Sequence, residues 1–251
     1  MMIHIIAARE LKTLFLSPLA WSILGVVQLL LAYLFLSQID LFMTYAPQLA
    51  GRPNAPGVTD IVITPLLGNT GVILLLIAPL ITMRALSEES RSRTLNLLMS
   101  SPVSMTEIVL GKYLGLLGFF LILLAMIGLM PLSLMTGTEL DAGKLASGLL
   151  GLALLLAAFT AAGLFMSSLT DQPTVAAVSS FGLLLLLWII DWAGNSGAEV
   201  SELFRYLSLV RHYESLLKGL FDSSDVVYYL LFILTFLALT VQRLDARRMP
   251  H

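Results

Sequence analysis

The sequence predicts an all-α membrane protein with six transmembrane helices. It also predicts an N-terminal amphipathic helix at the interface and a membrane-dipping outer loop between spans five and six. Three observations support this. Of 251 residues, 58% are hydrophobic and only 12% are charged, against about 25% charged in an average soluble domain. Mean hydropathy is +0.92. The apolar residues fall into six runs, each near the roughly 20 residues that a spanning helix needs. A lipid-exposed backbone must close its own hydrogen bonds, which makes these runs helices. With no cysteine, disulfides and thiolate metal sites are excluded.

The expected spans are residues 19–39, 65–83, 113–135, 145–169, 174–192 and 226–241 of a single transmembrane domain, 1–251. Span four carries Gly148, Gly151, Ala153, Ala157, Ala158, Ala161, Ala162 and Gly163. Small residues let helices approach closely, so this span is expected inside the bundle. Pro79, Pro131 and Pro173 either kink helices at hinges or mark helix ends and harmless bends, the second being commoner.

Ahead of span one, residues 1–18 show helical periodicity, with Ile3, Ala7, Leu11, Leu14 and Phe15 on one face. Arg9, Lys12 and Thr13 take the other face, Ile5 and Ile6 break the pattern, and Ser17-Pro18 ends the helix. This reads as an interfacial helix on the cytoplasmic surface. The start lacks the order of features of a cleavable signal, so the first span is expected to serve as the targeting signal.

Orientation follows from basic residues in short loops. Arg9, Lys12, Arg84, Arg91, Arg93, Lys112, Arg243, Arg247 and Arg248 fall on one side, nine in all, and Arg52, Lys144, Arg205, Arg211 and Lys218 on the other, five. The first side, with both termini, is expected to be cytoplasmic. Lys112 is expected to snorkel to that interface. The outer loop over residues 40–64, rich in proline, glycine and small polar residues, reads as irregular.

Between spans five and six, Val200, Leu203, Phe204, Leu207 and Val210 form one amphipathic stripe. Leu216, Leu217, Leu220 and Phe221 form a second. One or two helices are expected in or on the outer leaflet, with Asp225 or Ser224 capping span six. Asp191, between Trp188 and Trp192, reads as part of an aromatic and acidic belt at the outer interface.

The most polar stretch lies between spans two and three, residues 84–112. Glu88, Glu89, Arg91 and Arg93 are mixed in sign, and Glu89 and Arg93 have the spacing to pair on a helix. Leu95, Leu97, Leu98 and Met99 supply an apolar end, and Pro102 stops the helix. Ser104 and Glu107 have the spacing of a capping box for the next helix, which runs into span three through Gly111-Lys112.

Here the chain resembles the ABC-2 type transporter permeases. The resemblance rests on Glu89, Thr94, Leu95, Leu97, Leu98, Pro102, Glu107, Gly111 and Lys112. Arg93 stands where that family usually has glycine, and Asn96 where it often has glutamate. The run from His212 to Tyr229 is similar to the gliding-motility-associated branch and to the maturation permeases of nitrous oxide reductase. The resemblance implies a non-catalytic permease subunit of an ABC exporter in a bacterial inner membrane. It would work as a homodimer or with a paired permease and bind an ABC ATPase subunit.

It implies that 84–112 is the ATPase-coupling region. Glu88, Glu89, Arg91 and Arg93 would contact the ATPase, with Thr94 and Pro102 in the same motif, and Leu95, Leu97 and Leu98 would pack into its groove. The sequence has no phosphate loop, so ATP and magnesium are expected on the partner, with no cofactor in this chain. A periplasmic accessory protein and the bilayer complete the expected partners, and nucleic acid is not among them.

Two rival readings remain. Glu88-Glu89 with Arg93 fits the Glu-Glu-x-x-x-Arg signature of intramembrane CAAX-type proteases. Those enzymes resemble one another in having further histidines on later helices. Here His4 and His251 sit near the termini, and His212 lies in the loop opposite Glu88. A secondary transporter would place ionisable groups inside its spans, and these spans are nearly free of charge.

Overall fold

The computed structural model describes residues 2–49, 56–92, 103–135, 137–138, 140–194 and 206–248. The elements in order are α1 (Met2–Leu16), α2 (Pro18–Leu49), a π-helical turn (Thr59–Ile63), α3 (Thr64–Thr82) and α4 (Arg84–Arg91). They continue as α5 (Met105–Leu134), α6 (Ala142–Leu169), α7 (Pro173–Gly194), α8 (Leu209–Leu217) and α9 (Ser223–Arg248). No strand occurs among the described residues. Among the described residues, six helices are long and apolar enough to cross a membrane: α2, the continuous run from Thr59 through α3 to Arg91, α5, α6, α7 and α9.

Helix α6 is the centre of the bundle, and its glycines explain why. A Cβ at Gly163 would lie 2.2 Å from Thr82 Oγ1 of α3, one at Gly148 2.7 Å from Leu67, and one at Gly151 2.9 Å from Leu216. Neighbouring helices occupy the space that a larger side chain would need, as expected for span four. Leu152, Leu155, Leu156, Phe159 and Leu164 fill the rest of its buried surface. By contrast, Val26, Leu29, Tyr33 and Leu36 of α2 are exposed, as a lipid-facing helix requires.

The spans alternate in direction and divide the polar contacts between two ends. One end holds α1, α4, the α6–α7 turn and the end of α9. The opposite end holds the π-helical turn, α8 and the start of α9.

Several expectations need correction. The outer loop over 40–64 is not irregular throughout: α2 continues through residues 40–49, and Thr59–Ile63 is helical. Ile6 does not break the α1 stripe. Ile3, Ile6, Ala7, Leu11, Leu14 and Phe15 all lie on its half-buried face, and only Ile5 points away. Helix α9 is not capped by Asp225 or Ser224 side chains. Asp222 Oδ1 accepts from Ser224 N at 2.9 Å, while Asp225 turns inward to His212. Pro79 and Pro131 sit near the ends of α3 and α5, and Pro173 opens α7. The first outer stripe falls mostly outside the described residues, and the side chains of Asp191 and Trp192 fall outside them too. The second stripe divides: Leu216 and Leu217 are buried, while Leu220 and Phe221 are exposed.

Candidate functional site

The polar stretch after span two opens as α4, whose amphipathic face buries Ala85, Leu86 and Ser87. Its backbone follows α3 with right-handed helical angles at Met83, but the regular bonding is interrupted there. A side chain from α6 enters the ladder. Ser167 Oγ accepts from Leu86 N and Ser87 N, both at 3.1 Å, and donates to Met83 O at 2.8 Å. Ser87 Oγ also donates to Met83 O. Ser167 is almost completely buried, so this bonding is shielded from competing water.

One flank of α4 meets Lys112. The Lys112 ammonium donates to Glu89 Oε1 at 2.7 Å and to Glu10 Oε2 at 3.1 Å. Its side chain is only 3% exposed. The expectation that Lys112 snorkels to the interface is therefore corrected: it stays inside and joins α1, α4 and α5. Burial of a charge is costly unless it is paired, and here two carboxylates from different helices pair with it.

The neighbouring glycines let α1 come close enough for this. A Cβ at Gly111 would lie 2.6 Å from Ile6 Cβ, and one at Gly115 2.6 Å from Glu10 Cβ. The Gly111-Lys112 pair thus has a physical role: glycine admits α1, and lysine binds it. Sequence reasoning missed Glu10, although a signal was available, since it is the one acidic residue on the α1 apolar face.

The other flank of α4 meets the α6–α7 turn and the last turn of α9. Ser90 Oγ donates to Asp171 Oδ1. Arg247 Nη1 donates to Ser90 Oγ at 3.1 Å and lies 3.4 Å from Asp171 Oδ1. No sequence signal marked these partners, because each comes from a different loop or terminus. Between α4 and the α6–α7 turn lies an open cavity of about 1010 Å³ lined by Arg84, Glu88, Ser90, Arg91, Asp171 and Gln172.

Of the expected coupling residues, Glu88 and Arg91 are exposed and Glu89 turns inward to Lys112. Arg93, Thr94, Leu95, Leu97, Leu98, Met99 and Pro102 lie outside the described residues, as does the expected Glu89–Arg93 pair. Ser104 and Glu107 form the expected capping box at the start of α5: Ser104 Oγ accepts from Glu107 N at 3.2 Å, and Glu107 Oε2 from Ser104 N at 3.2 Å.

The opposite end is built differently. Helix α8 is capped by Ser208 and ends at Gly219, whose φ of 78° favours glycine. Tyr213 OH donates to Leu67 O at 2.7 Å, Tyr228 OH to Leu207 O at 2.7 Å and Tyr229 OH to Leu209 O at 2.8 Å. Burial pushes the Tyr213 phenol well above its usual pKa, so it stays a neutral donor. His212 Nδ1 lies 2.6 Å from Asp225 Oδ1, and its ring stacks on Tyr228 at 4.0 Å. Bonds from Ser224 hold the nearby Asp222 carboxyl below the ordinary carboxylate range.

Among the described residues, no cluster of His, Cys, Asp or Glu has the makings of a metal site. Among the described residues no histidine lines the cavities beside Glu88 and Glu89, and His212 lies at the other end of the bundle. The protease constellation therefore does not form among the described residues.

No curated protein matches the chain. The family model of the ABC-2 family transporter proteins matches residues 5–249. The six spans, the α4 segment between spans two and three and this match over nearly the whole length lead to one conclusion: the chain belongs to the ABC-2 transporter family, as a multi-pass permease component of an ABC transporter.

Proposed function

We propose that the chain couples ATP hydrolysis by a separate ABC ATPase subunit to export across a bacterial inner membrane, through α4 and the residues that follow it. Family membership implies the ATPase pairing. The observation that carries the coupling role is the two-sided chemistry of α4. Its inner side is tied to four other helices, through Lys112 and Glu10, Ser167, and Arg247. Its outer side presents Glu88 and Arg91 beside an open cavity. A helix bound to the bundle on one side and, among the described residues, exposed on the other can accept a partner and pass on its motion. Arg93, Thr94, Leu95, Leu97, Leu98 and Pro102 would continue that surface. The end bearing α1, α4 and the end of α9 is assigned to the cytoplasm by its excess of basic residues, with α1 on the inner leaflet.

The permease would act as a pair, with itself or a similar subunit. It would leave ATP and magnesium to the partner and have no cofactor of its own. A periplasmic accessory protein would meet the α8 end.

The test uses the full chain in native membranes. The double variant Glu88→Ala/Arg91→Ala should insert normally but lose most co-purification of an ABC ATPase and its stimulation. Wild-type ATPase association and stimulation in that variant would overturn the coupling role of α4.

A further inference from the structure

Helix α9 is tied at both ends to short helices on opposite sides of the bundle. At its last turn, Arg247 reaches Ser90 of α4 and Asp171 of the α6–α7 turn. At its first turn, Asp225 is bonded to His212 of α8, and Tyr228 and Tyr229 stack on or bond to that segment. Its 26 residues make a rod of about 39 Å at 1.5 Å per residue. Proline is absent from it, so nothing in its sequence breaks the rod.

We propose that Arg247 and Asp171 are positioning residues that couple α4 to α9, so that displacement of α4 by the ATPase is carried along α9 to the α8 cluster on the outer face. This rests on the coupling role proposed above. The two joints differ in a way that suits transmission. The inner joint is partly open, with Arg247 25% and Asp171 64% exposed, so its bonds exchange readily with water. The outer joint is closed: His212 and Asp225 are 7% and 6% exposed, and two tyrosine hydroxyls of α9 bond to backbone carbonyls at the entry to α8. Motion admitted at the inner joint therefore moves α8 with α9 rather than parting them. The α8 side lines an outer cavity of about 490 Å³ with Arg211, His212, Ser215, Asp222 and Asp225, so its shape would report the state of α4.

The chain has no cysteine, so a single reporter can be placed at that cavity. In the ATPase-bound complex in nanodiscs, Ser215→Cys is labelled with a membrane-impermeant maleimide, with and without ATP. ATP is expected to change the labelling rate. Arg247→Gln should reduce that change at least about twofold, the scale set by one exposed ion pair, while the ATPase stays bound. Arg247→Lys should restore part of it. The swap Asp171→Arg/Arg247→Asp should restore it even where Arg247→Gln folds poorly. An unchanged ATP response in Arg247→Gln overturns the proposal and leaves the coupling role of α4 standing, as does a parent reporter blind to ATP with the ATPase bound. Loss of ATPase binding in both Arg247→Gln and the swap also overturns it, by making Arg247 part of the dock. A parent that binds no ATPase removes the coupling role and this proposal together.

Discussion

Two short amphipathic helices of similar length, α4 and α8, sit at opposite ends of the same bundle and are held by different forces. Helix α8 is held by packing. It buries Leu209, His212, Tyr213, Leu216 and Leu217, and Ser147 Oγ donates to Leu216 O at 2.8 Å. Helix α4 buries only Ala85, Leu86 and Ser87, and its other attachments are hydrogen bonds and ion pairs. Packing resists the separation of neighbouring helices, whereas polar contacts can be traded for water or for a partner's groups. Local opening costs least where few apolar contacts are broken. The difference makes α4 the end that opens at the lower cost and α8 the end more firmly packed.

The sharpest way to break this contrast is Lys112→Ala. It removes the ammonium from which both Glu10 and Glu89 accept, and losing one partner of a buried pair costs about 3 kcal/mol. Thermal unfolding in detergent should show that loss. Hydrogen exchange should rise in α1 and α4 and stay low in α8. Equal loosening at both ends would remove the contrast.

Next in size is Ser167→Ala, which leaves Leu86 N and Ser87 N without their serine partner, at about 2 kcal/mol. Exchange should quicken over residues 84–91 with little change in the global unfolding temperature. A large global loss would instead make Ser167 a core residue of α6. Tyr213→Phe probes the other end. It removes the bond to Leu67 O and should cost about 1 kcal/mol globally, with no selective opening of α4. Smallest is Arg84→Gln. Arg84 and Glu88 are 3.9 Å apart with both side chains more than half exposed, so unfolding should shift by less than about 0.5 kcal/mol. A larger shift would mean that this pair helps hold α4.

The spans were legible because hydropathy and small-residue content are local properties. The run from Gly148 to Gly163 announced the central helix, and Ser104 with Glu107 announced the start of α5. The α2 extension was less legible, because residues 40–49 mix polar residues and a proline into a helix that continues regardless. Contacts across the fold were hidden for a different reason. Lys112 carries the same signal whether it snorkels or pairs, and only the approach of α1 onto Gly111 and Gly115 decides between them. Ser167, Asp171 and Arg247 are ordinary residues in sequence, and their roles exist only where three distant segments meet at α4. Asp225 looked like a cap because it stands near a helix start, and the nearby His212 drew it inward instead.

The hydroxyl that enters the ladder at Met83 has one more consequence. A peptide carbonyl is fixed to its backbone, so tilting one rod against another would normally leave amide groups dry and unmet. The Ser167 oxygen serves three groups at once. It joins two amides of α4 to the carbonyl that precedes them from a third helix, so the break in the ladder at Met83 is bridged rather than left open.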